Sequence, residues 1–329
     1  MKVLFIGGTG NISTACSLLA LQQGIDLYHF NRGKTPFNMK GITTLHGDIH
    51  KPEAKDLLQQ HQWDVVVNWI AFHPQDVQRD MEIFKGRTKQ YIFISSASCY
   101  QTPLESPVIT EETPLSNPYW DYSRNKMACE NLLMEAYHKE GFPVTIVRPS
   151  YTYYNTIPIA MGGYTEFTTC DRILKGLPII VHGDGTSVWT NTHADDFAKG
   201  FTGLLGLEKA IGEAFHITSD EKLTWNNIYK QLAEALGTEA HMVHIPSDFI
   251  CALEPSFTGS LLGDKTDSVL FDNSKIKAFV PGFEATIPFK EGIRRVLNWF
   301  DAHPEHKVVN PQTNAEIEHI LKAYGKAGT

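Results

Sequence analysis

The chain contains 329 residues, of which 42% are hydrophobic and 20% are charged, a composition typical of a globular protein with one large or two ordinary domains. Its formal net charge of −8 argues against a nucleic-acid backbone as the main partner. No apolar run approaches the roughly 18 residues of a membrane span, and no signal-like segment follows Met1. The 5 cysteines are scattered without metal-ligand spacing. We therefore expect a cytoplasmic protein with reduced thiols, without a bound metal, and with no membrane or nucleic-acid partner.

The first structural signal is a short apolar strand over Lys2–Ile6 that runs directly into a glycine-rich turn. Small and apolar residues continue over 14–21 as a predicted helix. Strand, glycine turn and helix form the context in which proteins bind a dinucleotide, because the glycines allow close backbone approach and the helix N-terminus offers free N–H groups to a pyrophosphate. Ser13 stands at the third glycine position of this pattern, which is a small departure. The residues predicted to contact the cofactor here are Gly7, Gly10, Asn11 and Ile12.

A second predicted strand, residues 25–30, ends at Asn31 and Arg32. An acidic residue at this point would bind the ribose hydroxyls of NAD and repel the 2′-phosphate of NADP. An amide followed by a guanidinium favours NADP instead, although a loop arginine is also commonly just solvated. The next predicted strand leads to Asp48 and Ile49, which we expect to lie against the adenine.

Two strongly apolar stretches, residues 63–71 and 90–96, have the character of strands buried on both faces, as in a parallel sheet. Together with the preceding elements they predict an α/β fold built on a doubly wound parallel sheet. Ile70 and the hydroxyls of Ser95 and Ser96 fall at the carboxyl ends of these strands. Open α/β sheets place ligands at those ends, so we expect Ile70 to contact the cofactor.

The segment that contains Tyr122 and Lys126 is predicted to be a helix with Met127, Leu132 and Leu133 as its apolar positions. A spacing of four residues then stacks the phenol and the ammonium on one helix face. The pKa of an isolated tyrosine is about 10, and a nearby cation stabilises the phenolate and lowers that pKa. The pair therefore predicts a proton-transfer unit, and the alternative is an amphipathic helix with a surface lysine and a half-buried tyrosine.

With these features in place, the sequence resembles the extended short-chain dehydrogenases/reductases, the group that contains the nucleotide-sugar epimerases and dehydratases. The resemblance implies a Rossmann-type sheet, NAD(P) as cofactor and a smaller C-terminal α+β domain for a small-molecule substrate. The matching motifs follow the family's order over roughly the first 200 residues: Gly7-Gly8-Thr9-Gly10, Gly47-Asp48, Ser95-Ser96-Ala97-Ser98-Cys99-Tyr100, Tyr122 with Lys126, Arg148-Pro149, Gly183-Asp184-Gly185 and His193-Ala194-Asp195-Asp196.

The resemblance also implies residue roles. Ser96 would hold the substrate oxygen, and Tyr122 would be the acid/base. Lys126 would bind the nicotinamide ribose and lower the tyrosine pKa, and Pro149 would lie near the carboxamide. Dehydratases of this group carry an Asp-Glu pair directly after the catalytic hydroxyl, and this chain lacks that pair. A 4,6-dehydratase is therefore not expected.

The aromatic, glycine-rich segment 151–167 is predicted to be a loop that in this family lies over the substrate. Aromatic rings and amides suit a sugar, although a tyrosine-rich packing loop is the alternative. Nucleotide-sugar enzymes of this type carry, where Trp189 stands, an arginine that binds the substrate diphosphate. An indole cannot do so, and we expect a substrate without a nucleotide unless Arg172 and Lys175 bind the diphosphate. The substrate candidates are Ser98, Tyr151, Tyr153 and Trp189.

The organisation of the chain follows from these assignments. His193 and Asp196 are expected to join the two domains rather than bind a metal. Residues 253–270 are predicted to be irregular and able to reach the substrate. Further elements are predicted as helices at 224–236 and 289–300 and a short strand at Met242–Ile245. The predicted parts are a dinucleotide-binding domain at 1–150 to which 177–220 returns in part, a substrate domain at 151–176 and 221–310, and a terminal helix or tail at 311–329.

The sequence therefore predicts an NAD(P)-dependent oxidoreductase or epimerase that acts at a carbinol or carbonyl carbon of a sugar or sugar-like substrate, with NADP favoured and no nucleotide on the substrate. One alternative is a nucleotide-sugar 4-epimerase. Another is a non-catalytic, RNA- or protein-binding member of the same fold, against which the intact Tyr122 and Lys126 pair and the acidic net charge weigh. A homodimer is compatible with the sequence.

Overall fold

The computed structural model describes residues 1–33 and 39–327. The last 2 residues of the predicted tail, 328 and 329, lie outside the described residues. The strands are β1 (Lys2–Ile6), β2 (Asp26–Asn31), β3 (Thr43–His46), β4 (Trp63–Asn68), β5 (Thr88–Ile94), β6 (Val108–Ile109), β7 (Val144–Pro149), β8 (Tyr151–Tyr153), β9 (Ile179–His182), β10 (Val188–Trp189), β11 (Asn191–His193), β12 (Ala214–Ile217), β13 (Leu223–Thr224), β14 (Met242–Ile245) and β15 (Leu270–Phe271).

Helices connect and cover these strands. Several are preceded by a residue in extended conformation, as expected for an N-cap position. The helices are α1 (Asn11–Gln22), α2 (Pro52–Leu58), α3 (Pro74–Phe84), α4 (Asp121–Glu140), α5 (Thr168–Leu174), α6 (Ala194–Leu204), α7 (Trp225–Ala235), α8 (Ser247–Leu253), α9 (Thr258–Ser260), α10 (Ser274–Phe279), α11 (Phe289–Ala302) and α12 (Pro311–Ala327).

Seven of the described strands form one sheet in the order β12-β7-β5-β4-β1-β2-β3, and every neighbouring pair is parallel. The order reverses next to β1, since β2 and β3 lie on one side of it and β4, β5, β7 and β12 on the other. The predicted doubly wound parallel sheet is thus confirmed. A crevice at the carboxyl ends of β1 and β4 is the expected ligand site of such a sheet.

Strand β1 shows how the apolar pattern builds the centre of the fold. Val3 and Phe5 belong to the hydrophobic cluster on one face of the sheet, and Leu4 and Ile6 belong to the cluster on the other face. All are fully buried. Because burying such a side chain contributes about 1.5–3 kcal/mol each, a strand that is apolar at every position is stable only between two covered faces.

A smaller region lies beyond this sheet and has its own hydrophobic cluster. Helices α7 and α11 pack there, with fully buried Trp225 from α7 and Ile293 from α11. The Thr224 side chain caps α7 by accepting from the backbone N–H of Asn227. Two-stranded pairs complete the region: β8 with β11, β9 with β14, β10 with β13, and β6 with β15.

The structure differs from the sequence prediction in two places that matter for the site. The strand predicted over 90–96 ends at Ile94, and the chain turns into a short 3₁₀ helix at Ala97–Cys99 with Ser96 as its cap. The stretch 253–270, predicted to be irregular, contains short helices and a π-helical turn at Leu261–Lys265. Both differences bring side chains toward the crevice.

The terminal helix α12 is attached to the smaller region. Its Asn314 and Glu318 accept hydrogen bonds from the Arg172 guanidinium, which is 1% exposed. No helix among the described residues has the length and apolar character needed to cross a membrane.

Candidate active site

Two adjoining cavities open at the carboxyl ends of β1 and β4. The larger, about 670 Å³, is called the Arg32 cavity, and the other, about 470 Å³, is called the Tyr122 cavity. They share lining residues and therefore form one continuous groove across the edge of the sheet. The residues common to both are Gly7, Gly10, Ile70 and Phe72.

The glycine turn forms the middle of this groove. Gly7 has φ +82°, and a Cβ atom there would lie 2.5 Å from Ile70 Cγ2, so a side chain is excluded both by conformation and by space. The Gly10 N–H donates to Ser13 Oγ at 2.8 Å. The first turn of α1 contains no acidic residue, so its N-terminus presents a positive end without a competing carboxylate. These features fit a pyrophosphate, with Asn11 and Ile12 also in the lining.

The Arg32 cavity has the residues expected around an adenosine. Asn31, Asp48 and Ile49 line it, and Arg32 is exposed at its rim. The Asp48 carboxylate accepts a hydrogen bond from the His50 backbone N–H at 3.0 Å, and that bond is the main cause of the lowered pKa of Asp48. The predicted cofactor residues at this end are therefore brought together in one place.

The Tyr122 cavity contains the predicted catalytic residues, which helix α4 and the end of β5 place together. Lys126 is 2% exposed, and its Nζ donates to the backbone carbonyls of Ala71 and Ile94, both at 2.7 Å. The ammonium also lies 4.5 Å from the ring centre of Phe72 and 5.8 Å from that of Tyr122. Burial lowers the pKa of Lys126 to about 8. Predicted cofactor residue Pro149 lines the same cavity.

Tyr122 differs from the sequence expectation in its acidity. Its pKa is raised to about 12, first because the phenol is withdrawn from water, whereas the Ser96 side chain acts to lower it. The expected lowering by Lys126 does not prevail, since desolvation of the phenolate is the larger effect. Because its pKa is raised, Tyr122 is a protonated phenol at neutral pH and thus a proton donor.

A chain of hydroxyl groups runs from helix α4 to Ser96. Ser123 Oγ donates to Ser98 Oγ at 2.7 Å, and Ser98 Oγ lies 2.8 Å from Ser96 Oγ. The Ser98 backbone N–H also donates to Ser96 Oγ, at 3.2 Å. Because Ser98 accepts from Ser123, its own proton is available to Ser96, which then keeps its hydroxyl proton for a ligand oxygen. Ser98 is 6% exposed and lines the cavity mainly as the support of Ser96.

The substrate candidates are divided by the structure. Tyr151 lines the Tyr122 cavity, and its hydroxyl donates to the Ile159 carbonyl at 2.6 Å. Tyr153 is fully buried between the rings of His193 and Phe289 and is not part of the cavity lining. The prediction that Tyr153 contacts a substrate therefore does not fit its position, because it packs into the core of the smaller region instead.

Trp189 is not among the lining residues of the groove itself. Its ring is 3% exposed and stacks on Trp225 with the ring centres 5.5 Å apart. It borders a small cavity of about 20 Å³, too small for a sugar, that adjoins the Tyr122 cavity through Ala97, Ser98, Ser150 and Asp264. The prediction that the indole stacks on a substrate does not fit this position, since Trp189 is used in the core of the smaller region.

The alternative phosphate ligands are likewise engaged elsewhere. Arg172 is held by α12 as described, and Lys175 pairs with Asp171 at 2.7 Å. Asp196 accepts from the Ile287 backbone N–H and from Lys199, which is consistent with a joining role for that segment. Among the described residues, no group of His, Cys, Asp and Glu is arranged to hold a metal ion.

Several cavity residues were not predicted individually. Trp120, Tyr164, Asp264 and Lys265 all line the Tyr122 cavity. Tyr164 stacks on Tyr151 with ring centres 5.5 Å apart. Trp120 directly precedes the predicted helix, and Asp264 and Lys265 lie in the stretch predicted to be able to reach the substrate. Their position in the sequence was therefore the one signal that could have indicated a place in the site.

Comparison with known proteins adds family evidence to this geometry. A model of the NAD dependent epimerase/dehydratase family matches residues 3–217. The chloroplast stem-loop binding protein of 41 kDa b from Arabidopsis thaliana is 29% identical over 271 residues, covering 75% of this chain and 67% of that protein. The 2′-dehydrokanamycin reductase of Streptomyces kanamyceticus is 23% identical over 253 residues, covering 76% of this chain and 70% of that protein.

Solved structures share the fold. Epimerase Mth375 from Methanothermobacter thermautotrophicus superposes with a TM-score of 0.75 at 17% identity, covering 92% of this chain and 93% of that one. The UDP-glucuronic acid 4-epimerase of Bacillus cereus, solved with UDP-glucuronic acid and NAD, superposes with a TM-score of 0.72 at 19% identity. The match covers 92% of this chain and 100% of that one. The predicted family and fold are confirmed. Since the family match spans well over half of the chain, this protein belongs to the NAD-dependent epimerase/dehydratase family and is an NAD-dependent enzyme.

Proposed function

We propose that this enzyme is an NAD(P)-dependent oxidoreductase or epimerase that acts at a carbinol or carbonyl carbon of a sugar or sugar-like substrate without a nucleotide. The observation that carries the proposal is the convergence of Ser96, Tyr122 and Lys126 in one cavity, continuous with the glycine turn. A proton donor, an oxygen-binding hydroxyl and a cofactor groove are the components that reversible hydride transfer to a carbonyl requires.

The chain's own residues account for the proton and the oxygen. Ser96, supported by Ser98 and Ser123, donates a hydrogen bond to the substrate oxygen. In the reductive direction the protonated phenol of Tyr122 gives its proton to that oxygen as the carbonyl becomes a hydroxyl. In the oxidative direction Tyr122 must first lose its proton, and its phenolate then takes the hydroxyl proton as the C–H bond breaks. When bound, the nicotinamide supplies or accepts the hydride.

Lys126 has a positioning role in this scheme. Its two carbonyl contacts fix the ammonium between the segment after β4 and the end of β5, where it would meet the nicotinamide ribose. The glycine turn with Asn11 and Ile12 would hold the pyrophosphate, and Asp48 and Ile49 would lie along the adenosine.

The preference for NADP rests on the residues that follow β2. Asn31 stands where a carboxylate would bind both ribose hydroxyls of NAD, and Arg32 is exposed at the rim of the same cavity. His46 and His50 also line that cavity and add no negative charge. A 2′-phosphate would thus meet a guanidinium and no carboxylate from β2.

The absence of a nucleotide on the substrate is supported by the charges in the Tyr122 cavity. Of the described residues that line it, the cationic side chains are Lys126 and Lys265. Lys126 is bound to carbonyls, and Lys265 is paired with Asp264 at 2.7 Å. A diphosphate away from water needs compensating cations or several donors. Lys126 directs N–H groups at two backbone carbonyls, and Asp264 offsets the charge of Lys265, so the cavity has no group of free cations for a diphosphate. The reductase from Streptomyces kanamyceticus acts, by its name, on 2′-dehydrokanamycin, so a relative already departs from nucleotide sugars.

The direct test is binding of nucleotides to the full chain saturated with NADP. Calorimetry with UDP, dTDP and UDP-glucose should give dissociation constants no tighter than about 100 µM, since Lys126 is bound to carbonyls and the charge of Lys265 is offset by Asp264. Low-micromolar binding of any of these ligands would restore a nucleotide-sugar 4-epimerase. Oxidation of neutral sugars and polyols, followed by reduced nicotinamide absorbance, tests the reaction itself.

An RNA-binding role is the second candidate, because the chloroplast stem-loop binding protein is similar over 75% of this chain. The catalytic residues in the cavity and the net charge of −8 weigh against it. Titration of a stem-loop RNA at moderate salt decides between the two. Binding that survives the Tyr122→Phe substitution, together with no turnover of any substrate, would favour the RNA-binding role.

A further inference from the structure

The π-helical turn Leu261–Lys265 forms part of the Tyr122 cavity and is held there by three side chains. The Lys265 carbonyl accepts from Trp225 Nε1 at 3.1 Å and lies 2.9 Å from His182 Nε2. Burial lowers the pKa of His182 to about 4, so its ring is neutral and its Nε2 carries the proton that this carbonyl accepts. Asn117 Nδ2 donates to the Gly263 carbonyl at 2.6 Å. Rare π-helical turns with such support are frequent at functional sites.

Lys265 is unusual because its ammonium is buried yet has spare hydrogen-bond donors. The side chain is 7% exposed, and its one hydrogen-bond acceptor among the described residues is Asp264 Oδ2, at 2.7 Å. An ammonium has three N–H donors, so two remain. The Nζ atom lies 4.8 Å from the ring centre of Tyr151 and 5.9 Å from those of Trp120 and Trp189. Tyr151 and Trp120 line the cavity.

Asp264 completes a neutral pair beside the catalytic tyrosine. Its side chain is 18% exposed, lines the Tyr122 cavity, and uses one oxygen for Lys265. Burial is the main cause of the raised pKa of Tyr122, and the nearby Asp264 carboxylate raises it further. The cavity therefore presents a donor and an acceptor side by side, flanked by aromatic rings.

This arrangement matches one kind of ligand group. Each hydroxyl of a vicinal diol both donates and accepts a hydrogen bond, so two neighbouring hydroxyls can bind the carboxylate and the ammonium together. The flat faces of Trp120 and Tyr151 suit the C–H groups of a ring. A carboxylate or phosphate on the ligand would instead face Asp264, and like charges at close range are unfavourable.

We propose that the Asp264–Lys265 pair determines substrate specificity by binding two neighbouring hydroxyl groups of an electrically neutral, polyhydroxylated substrate. The proposal rests on the proposed function and adds to it the chemical class of the substrate. The pair selects neutral sugars and cyclic polyols over uronic acids and sugar phosphates, and it acts on substrate binding rather than on proton transfer.

The test compares neutral compounds with their acidic counterparts. The full chain, saturated with NADP or NAD, is given neutral hexoses, 6-deoxyhexoses and inositols, and in parallel uronic acids and hexose phosphates. Turnover is followed by the absorbance of the reduced nicotinamide, and binding by ligand-observed NMR. The variants are Lys265→Met and Asp264→Asn. The matched control is Lys275→Met, because Lys275 also pairs with a carboxylate at 2.7 Å and lies 5.2 Å from a ring centre, but outside the groove.

We expect the wild type to prefer neutral compounds. Lys265→Met should raise the KM for the best neutral substrate about tenfold to a hundredfold while kcat stays within about threefold, because charged hydrogen bonds to the bound substrate are lost. Asp264→Asn leaves the ammonium without its counter-charge, so the preference should shift toward uronic acids by about tenfold or more. The control should change neither quantity, and cofactor affinity should be unaffected throughout.

The outcomes separate this proposal from the proposed function. A wild-type preference for acidic compounds, or an unchanged KM in Lys265→Met, overturns the role of the pair and leaves the oxidoreductase proposal standing. Neutral compounds that bind in a Lys265-dependent manner, with neither net nicotinamide reduction nor an epimer detected by NMR, support the pair and overturn the reaction. A loss of stability in both variants, with neutral and acidic compounds weakened equally, assigns the pair a structural role and overturns the proposal.

Discussion

The two sides of the groove are built in different ways. One side, here called the cofactor wall, consists of the glycine turn, Ile70 and the residues after β2, and each lies directly at the carboxyl end of a strand of the central sheet. The other, here called the substrate wall, consists of Trp120, Tyr151, Tyr164, Asp264 and Lys265, which come from distant parts of the chain. The cofactor wall is therefore a local product of strand and turn, whereas the substrate wall depends on tertiary packing.

This contrast explains why members of one fold can share a cofactor and differ in substrate. A strand, a glycine turn and a helix reproduce the cofactor wall wherever that sequence occurs. The substrate wall changes whenever packing in the smaller region changes. Substitutions in each wall should therefore affect different constants, and the tyrosine between them should affect turnover alone.

The largest effect is expected from Tyr122→Phe. In the proposed mechanism the phenol supplies the proton and is not needed to bind the dinucleotide, so kcat should fall about 10³-fold while the cofactor dissociation constant stays within about twofold. Steady-state kinetics and fluorescence titration measure the two quantities. Tyr137→Phe, on the same helix but outside the groove, is the control. Activity within about tenfold of wild type in Tyr122→Phe would contradict the mechanism.

The next effect tests the cofactor wall. Gly7→Ala forces a side chain into a left-handed conformation and toward Ile70 Cγ2, so the cofactor dissociation constant should rise about tenfold or more. Gly141→Ala is the matched control, because Gly141 has φ +69° but no atom within 4 Å of the point where a Cβ atom would stand. The control should lose about 1 kcal/mol of stability and no cofactor affinity. Equal losses of affinity in both variants would mean that strain, and not the groove, controls binding.

A narrower test of the same wall concerns cofactor choice. Arg32→Ala should weaken NADP about tenfold and NAD by less than about twofold, since only NADP carries the 2′-phosphate. Both cofactors are titrated by fluorescence, with exposed Arg294→Ala on α11 as the control. If NAD and NADP lose affinity equally, Arg32 is merely solvated.

The smallest effect tests the substrate wall. A Cβ atom at Gly259 would lie 2.3 Å from Trp120 Cδ1, so Gly259→Ala must displace that ring. The KM of the substrate should rise about three- to fivefold, with cofactor affinity unchanged, because a small misplacement weakens substrate alignment. Gly325→Ala, in a helix with open space around it, is the control. A change in cofactor affinity instead of KM would show that the two walls are not independent.

The difference between the walls also sets how far the sequence could predict the site. The glycine turn, Asn31, Asp48 and the Tyr122 helix follow from local patterns, and the structure places all of them along one groove. Trp189 and Tyr153 were predicted to reach the substrate but pack in the core of the smaller region. Their aromatic character signals burial and ligand contact equally, and only tertiary structure separates the two.

The prediction failed in the opposite way for Lys265, which lines the groove but was not predicted as a site residue. A lysine in a stretch rich in glycine, serine and aspartate is normally solvated, and nothing local indicates that it is buried. Its position depends on Trp225 and His182, which are distant in sequence and hold its backbone. The acidity of Tyr122 was also outside the reach of sequence, because the extent of its burial decides the direction of its pKa shift.

The burial of Lys126 has a consequence for how this protein has been shaped by selection. An ammonium that is 2% exposed and bonded to two neutral carbonyls loses much of its hydration on folding. The lowered pKa expresses that penalty, because the folded protein holds the proton less tightly than the unfolded chain does. Selection for thermal stability alone would favour an apolar side chain of similar length at this position. With the proposed role for Lys126, catalysis and stability place opposite demands on this position.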